Sequence, residues 1–91
     1  MRKITTKETT VKYHGNKYSR ILFICDGIEI AKYDEYRQTL YLKTDIIGCE
    51  FSKTPAQRAN KSRYNYEFRQ VFNHVYKLAN GYYKVSEYTN A

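Results

Sequence analysis

Residues 54–81 contain a helix start, an apolar stripe and a helix stop, and they constrain the fold more than any other part of the chain. Thr54 has the side chain of an N-cap, Pro55 suits the first helical position, and Gln57 completes a capping box of the form T-x-x-Q. Tyr64, Phe68, Val71, Phe72, Val75, Leu78 and Ala79 then recur at helical spacing. Asn80-Gly81 supplies the stop, because both types tolerate the left-handed backbone that ends a helix. The stripe marks Phe68, Val71, Phe72 and Val75 as core. Asn60-Lys61-Ser62 is weakly helical and Ser62 is itself a capping type, so the segment reads as one long helix or two short ones.

The first half of the chain reads as strands. Residues 8–13 are rich in β-branched and aromatic types, turn chemistry follows at 14–17, and an apolar run covers 18–25. Asp26-Gly27 is a hairpin signal, since a type I′ turn needs positive φ at both central residues. It joins 21–25 to 28–33. Residues 34–37 form a polar loop. In 39–43, Leu40 and Leu42 alternate with Thr39, Tyr41 and Lys43, as on a half-buried strand. Residues 46–51 are a further short apolar stretch, and 82–88 suit a last edge strand. Residues 1–7 read as a polar, frayed arm.

Charge is concentrated in the helical segment. Residues 53–77 hold six Lys/Arg against one acid, Glu67, and so carry +5 of the chain's +7. Treated as one helix at roughly 100° per residue, Arg58, Arg63, Tyr66, Arg69, Asn73 and Lys77 fall within about 140° of arc opposite the stripe, with Gln70 among them. Arg and Lys meet phosphates by charge, whereas Asn, Gln and Arg can read base edges through paired hydrogen bonds. Tyr66 can stack. Lys53 and Lys61 widen the electrostatic footprint.

Chemistry of other kinds finds no foothold. His14 and His74 have no Cys, His or carboxylate at ligand spacing, and the acids are scattered through turns and strand faces. No phosphate-cradling glycine motif is present. We therefore expect no catalytic residues, no metal and no cofactor. No apolar run approaches the roughly 18 residues of a membrane span, and the N-terminus lacks an apolar signal core. Cys25 and Cys49 both lie in apolar, strand-like runs and are expected as buried free thiols of a reducing cytoplasm.

Part of the sequence resembles a known pattern. Ile30-Ala31-Lys32-Tyr33-Asp34 after Gly27, then Thr39-Leu40-Tyr41-Leu42, then Ser52-Lys53-Thr54 with Arg58 and Asn60, resemble a small uncharacterised domain of phage and mobile-element proteins. In that family a "V/I-A-x-Y/I-D" strand and a "T-L-Y-L" strand precede an "S-x-T-T" motif, with His or Arg and then Asn, that opens a helix. The match covers about residues 20–60. Pro55 stands where the family has its second Thr, and Arg58 or a neighbour where it has His. The resemblance implies a phage or mobile-element origin and a meander capped by a helix. It implies no activity. Ser52, Thr54 and Asn60 read as caps of the helix start, or, with Lys53 and Arg58, as an anion site there.

With 91 residues the chain is expected to be one small α+β domain. The expected architecture is an antiparallel four- to five-stranded β-meander with one long helix, or two short ones, packed on one face. The expected function is non-enzymatic binding of nucleic acid, DNA or RNA, through the basic helix face. The alternative is a protein-binding inhibitor of a host defence nuclease, an anti-CRISPR-like anti-defence factor whose partner is a nucleic-acid-processing protein. Either would act in the cytoplasm of a bacterial host, as a monomer or homodimer, away from membranes.

Overall fold

The computed structural model describes residues 2–89. Strands β1 (Ile4–Tyr13), β2 (Asn16–Cys25), β3 (Ile28–Asp34) and β4 (Thr39–Lys43) come first. Three helices follow, α1 (Thr44–Ile47), α2 (Pro55–Asn60) and α3 (Asn65–Leu78), and β5 (Lys84–Tyr88) closes the described chain. The sheet order is β1-β2-β3-β4-β5. The first three pairings are antiparallel, as the meander reading expects, but β5 lies parallel to β4. The sheet is therefore mixed. The reason is topological: three helices intervene between β4 and β5, and a crossover of that length can return the chain in the same direction.

Turn chemistry sets the hairpins. His14 and Gly15 have φ of 51° and 82°, and Asp26 and Gly27 have 50° and 78°. Both turns thus place two residues in the left-handed region, which suits the right-handed twist of the strands they join. Registers Ile21↔Tyr33, Phe23↔Ala31, Tyr33↔Leu40, Ala31↔Leu42 and Leu40↔Val85 line these side chains up on one sheet face. They are buried there, Val85 partly, together with Ala59 of α2 and Phe68, Val71 and Val75 of α3. The helices thus share one core with one face of the sheet.

The helical segment resolves into two helices. At the start of α2, the Gln57 amide donates to Thr54 Oγ1 at 3.2 Å and the Thr54 amide donates to Gln57 Oε1 at 3.0 Å. This is the capping box that the sequence announces. The break falls at residues 61–64. The Ser62 hydroxyl donates to the Ala59 carbonyl at 2.9 Å and accepts from the Tyr64 amide at 3.1 Å. Those bonds satisfy the backbone locally, where a continuous helix would run through. Ser62 supports the second start without being its N-cap, which is Tyr64. At the far end the Gly81 amide reaches the Tyr76 carbonyl at 2.9 Å and Asn80 has φ of 53°. This is the Schellman closure expected of Asn-Gly.

Four expectations are corrected. Residues 46–51 are not a strand: Ile46 and Ile47 end α1, and Phe51 stands in a loop, 86% exposed. In that loop Cys49 is exposed, whereas Cys25 is buried as expected and both thiols are free. Residues 4–7 of the expected arm are not frayed, because β1 begins at Ile4 and pairs along its whole length with β2, while Met1 lies outside the described residues. The arm's sequence looked polar because β1 is an edge strand whose middle, residues 5–10, is exposed on both faces. Phe72 is half-buried at the rim, with its ring 6.5 Å from that of Phe68.

Candidate nucleic-acid interface

The outer face of α3 follows from the inner one. Phe68, Val71 and Val75 turn inward, so residues about half a turn away must face solvent. Tyr66, Arg69, Gln70, Asn73 and Lys77 are all exposed, and Arg63 is exposed just before the helix. The Arg69 guanidinium lies over the Tyr66 ring, 5.7 Å from its centroid. Lys77 sits in the last turn, where a cation also complements the helix dipole.

No outward-facing residue of α3 is an acid, and Asp26, which lines the bordering groove, is paired with Arg2. The only acid of α3 is Glu67, which is 3% exposed and is held by the Arg2 guanidinium at 3.0 Å. Arg2 also reaches Asp26 at 3.6 Å, donates to the Arg63 carbonyl at 3.2 Å, and lies 4.5 Å over the Tyr64 ring. Its hydrogen bond to Glu67 raises the guanidinium pKa further. The contact neutralises Glu67 beneath the face and leaves Arg63, Arg69 and Lys77 unopposed. Lys3 and Arg2 border the same groove as Arg63 and Tyr66. Sequence reading missed both, since it treated their segment as a loose arm. The signal available was the Arg2-Lys3 pair itself.

Arg58 does not belong to this face. It is 3% exposed in α2, and its Nη2 reaches Glu87 Oε1 on β5 at 2.5 Å while Nη1 donates to the Gly48 carbonyl at 3.0 Å. The expectation that Arg58 meets phosphate, on the helix face or at a helix-start anion site, is corrected. The break at 61–64 removes the single-helix geometry that had placed it outside. The hydrogen bond from Arg58 holds the Glu87 carboxyl below the usual carboxylate range, assisted by the Thr44 hydroxyl at 3.0 Å.

Lys53 and Lys61 form a separate cluster. Lys53 pairs with Glu50 at 3.3 Å. Interaction with the Lys53 ammonium lowers the Lys61 pKa. Lys61 and Arg63 border one shallow groove beside α1, so Lys61 extends the basic surface and Lys53 is largely spoken for. Among the described residues, no group of three or more His, Cys, Asp or Glu is placed to hold a metal ion. His74 is exposed on α3, with its ring edge-on to Phe23 at 5.4 Å. Burial pushes the Cys25 thiol up, away from the thiolate form. No helix among the described residues is long and apolar enough to cross a membrane.

Compared with known protein families, with curated proteins and with solved structures, the chain matches none.

Proposed function

We propose that this chain is a small, non-enzymatic protein of a phage or mobile element that binds nucleic acid through the exposed face of α3. One observation carries the reading: Arg63, Arg69 and Lys77 flank Tyr66, Gln70 and Asn73 on a face where the one acid of α3, Glu67, is buried under Arg2, and where Asp26 of the bordering groove is itself paired with Arg2. A generic surface helix mixes both signs of charge, and this one does not. Fourteen residues give a helix about 21 Å long, enough to follow several phosphates. Asn73 and Gln70 supply groups able to read base edges, and Tyr66 with Arg69 supplies a flat, cationic surface for stacking. The phage or mobile-element origin rests on the sequence resemblance alone.

A second reading has its own support. Tyr66, Tyr76 and Tyr82 are 60%, 61% and 75% exposed, and Tyr and Arg together are common anchors of protein interfaces. On that reading the chain is an anti-defence inhibitor whose basic face meets an acidic patch of a nucleic-acid-processing enzyme. A pull-down of the tagged protein from host lysate, with and without nuclease treatment, separates the two. The nucleic-acid reading predicts that co-purifying material is lost after nuclease. One stoichiometric protein that survives nuclease would displace it in favour of the inhibitor.

A further inference from the structure

The second face of the sheet has no helix on it. Registers Lys7↔Leu22, Leu22↔Lys32 and Lys32↔Tyr41 set these four side chains in one row across β1 to β4. Lys7 and Lys32 are exposed, and among the described residues neither has an ion pair. The row opens a pocket of about 570 Å³ whose walls include Lys7, Arg20, Lys32, Arg37, Tyr41 and Tyr88, and no residue of any helix lines it.

The acids of this face are already engaged. Asp34 is buried between Arg20, at 3.5 Å, and Arg37, at 3.0 Å. Glu29 accepts the Tyr88 hydroxyl. What remains outward is cationic and aromatic. The Lys32 ammonium lies 4.5 Å over the Tyr88 ring and 5.9 Å from the Tyr41 ring. Beyond Arg20 the aromatic surface continues: Arg20 donates to the Tyr13 hydroxyl at 2.7 Å, and the Tyr13 ring stacks on Tyr36 at 4.5 Å. From Lys7 to Tyr41 the row crosses three strand spacings, about 14 Å, which is longer than one base and suits a short strand of nucleotides.

We infer that this open sheet face is a second binding site, for single-stranded nucleic acid, in which Lys7 and Lys32 meet phosphates and Tyr41 and Tyr36 offer stacking surfaces to unpaired bases. Interleaved cations and partly exposed rings, Tyr41 on the sheet and Tyr36 in the turn beside it, are what an unpaired strand requires, since every base has a π-face and each phosphate a charge. The site is independent of α3, which lies on the other side of the sheet.

The test is anisotropy of a labelled oligothymidylate of about eight nucleotides, a length within the span of such platforms. It is titrated with the wild-type chain, with Lys7→Ser/Lys32→Ser, with Tyr41→Leu, and with the α3 variant Arg63→Ala/Arg69→Ala/Lys77→Ala. Thermal melts check each fold. The lysine pair are exposed, so that variant folds even where Tyr41→Leu does not. We expect a loss of about tenfold in each sheet variant. Placed in the α3 variant, the Lys7→Ser/Lys32→Ser pair should again cost about tenfold relative to the α3 variant alone, because the two faces bind separately. The inference is overturned if the wild-type chain does not bind the oligonucleotide, or if the folded lysine variant binds it like wild type. It is also overturned if an oligoglutamate of equal charge displaces the strand as well as unlabelled oligothymidylate does, which would assign the face to an acidic protein segment. Because the α3 variant reports separately, failure here leaves the reading of α3 standing.

Discussion

Phe68→Ala should lower the unfolding free energy by about 3–5 kcal/mol. The ring is fully buried on α3 and packs in the same core as Phe23, Tyr33, Leu40 and Leu42 of the sheet. Its removal loses the transfer energy of the ring and leaves a cavity that the sheet cannot collapse to fill. A chain of 91 residues has a total stability of about 5–14 kcal/mol, so the variant would be near the limit of folding. Urea melts provide the comparison. Phe72→Ala is the natural control: its ring sits at the rim, half-buried, and should cost about half as much. Equal losses at the two positions would show that α3 does not pack with Phe68 innermost.

Glu87→Gln should cost about 2–3 kcal/mol, because it leaves the buried Arg58 guanidinium without a counter-ion. The figure lies below the roughly 3–5 kcal/mol of a fully buried pair, since the Glu87 side chain is 32% exposed and partly screened by water. Arg58 cannot turn elsewhere: Nη1 is committed to the Gly48 carbonyl, and Nε is already buried with no hydrogen-bond partner among the described residues. The network joins α2, the loop after α1 and the parallel strand β5, so its loss should loosen β5 against β4. A pH dependence follows from the same contact. Arg58 lowers the Glu87 pKa in the folded state, so the pair stabilises the fold above the ordinary carboxylate range. That stabilisation is lost as pH falls through the lowered pKa. Urea melts of wild type and Glu87→Gln should therefore differ most near neutral pH and converge as the pH falls below the ordinary carboxylate range and through the lowered pKa. A gap that stays constant with pH would contradict the assignment. Arg58→Ala breaks the same network from its other side. Any loss of binding in that variant would report unfolding rather than a missing phosphate contact.

Where the fold was legible, the signal was local. Thr54 and Gln57 lie three residues apart and bond to each other, Asp26-Gly27 makes its own turn, and Phe68, Val71 and Val75 share a helix face by spacing alone. The misreadings involve partners distant in sequence. Arg58 looks like a surface cation until Glu87, 29 residues on, is brought beside it by the parallel return of β5. The polar run at 5–10 gives no period-two pattern because an edge strand with both faces in water needs none. The apolar look of 46–51 misled in the opposite sense, since α1 uses Ile47 for the core and leaves Phe51 outside. At the candidate interface, Arg63, Tyr66, Arg69, Gln70, Asn73 and Lys77 could be placed by helical spacing. The part played by Arg2, which covers Glu67 from 65 residues away, could not.

The most direct test of the basic α3 face is the salt dependence of duplex DNA binding by the wild-type chain and by Arg63→Ala/Arg69→Ala/Lys77→Ala. Each phosphate neutralised contributes roughly −0.7 to −0.9 to the slope of log K against log salt. On duplex DNA, where the contribution is about 0.9 each, loss of three such contacts should flatten the slope by about 2.7, with the melting temperature nearly unchanged because exposed basic side chains add little to folding. A wild-type slope near zero, or a slope that the triple variant leaves unaltered, would contradict the account.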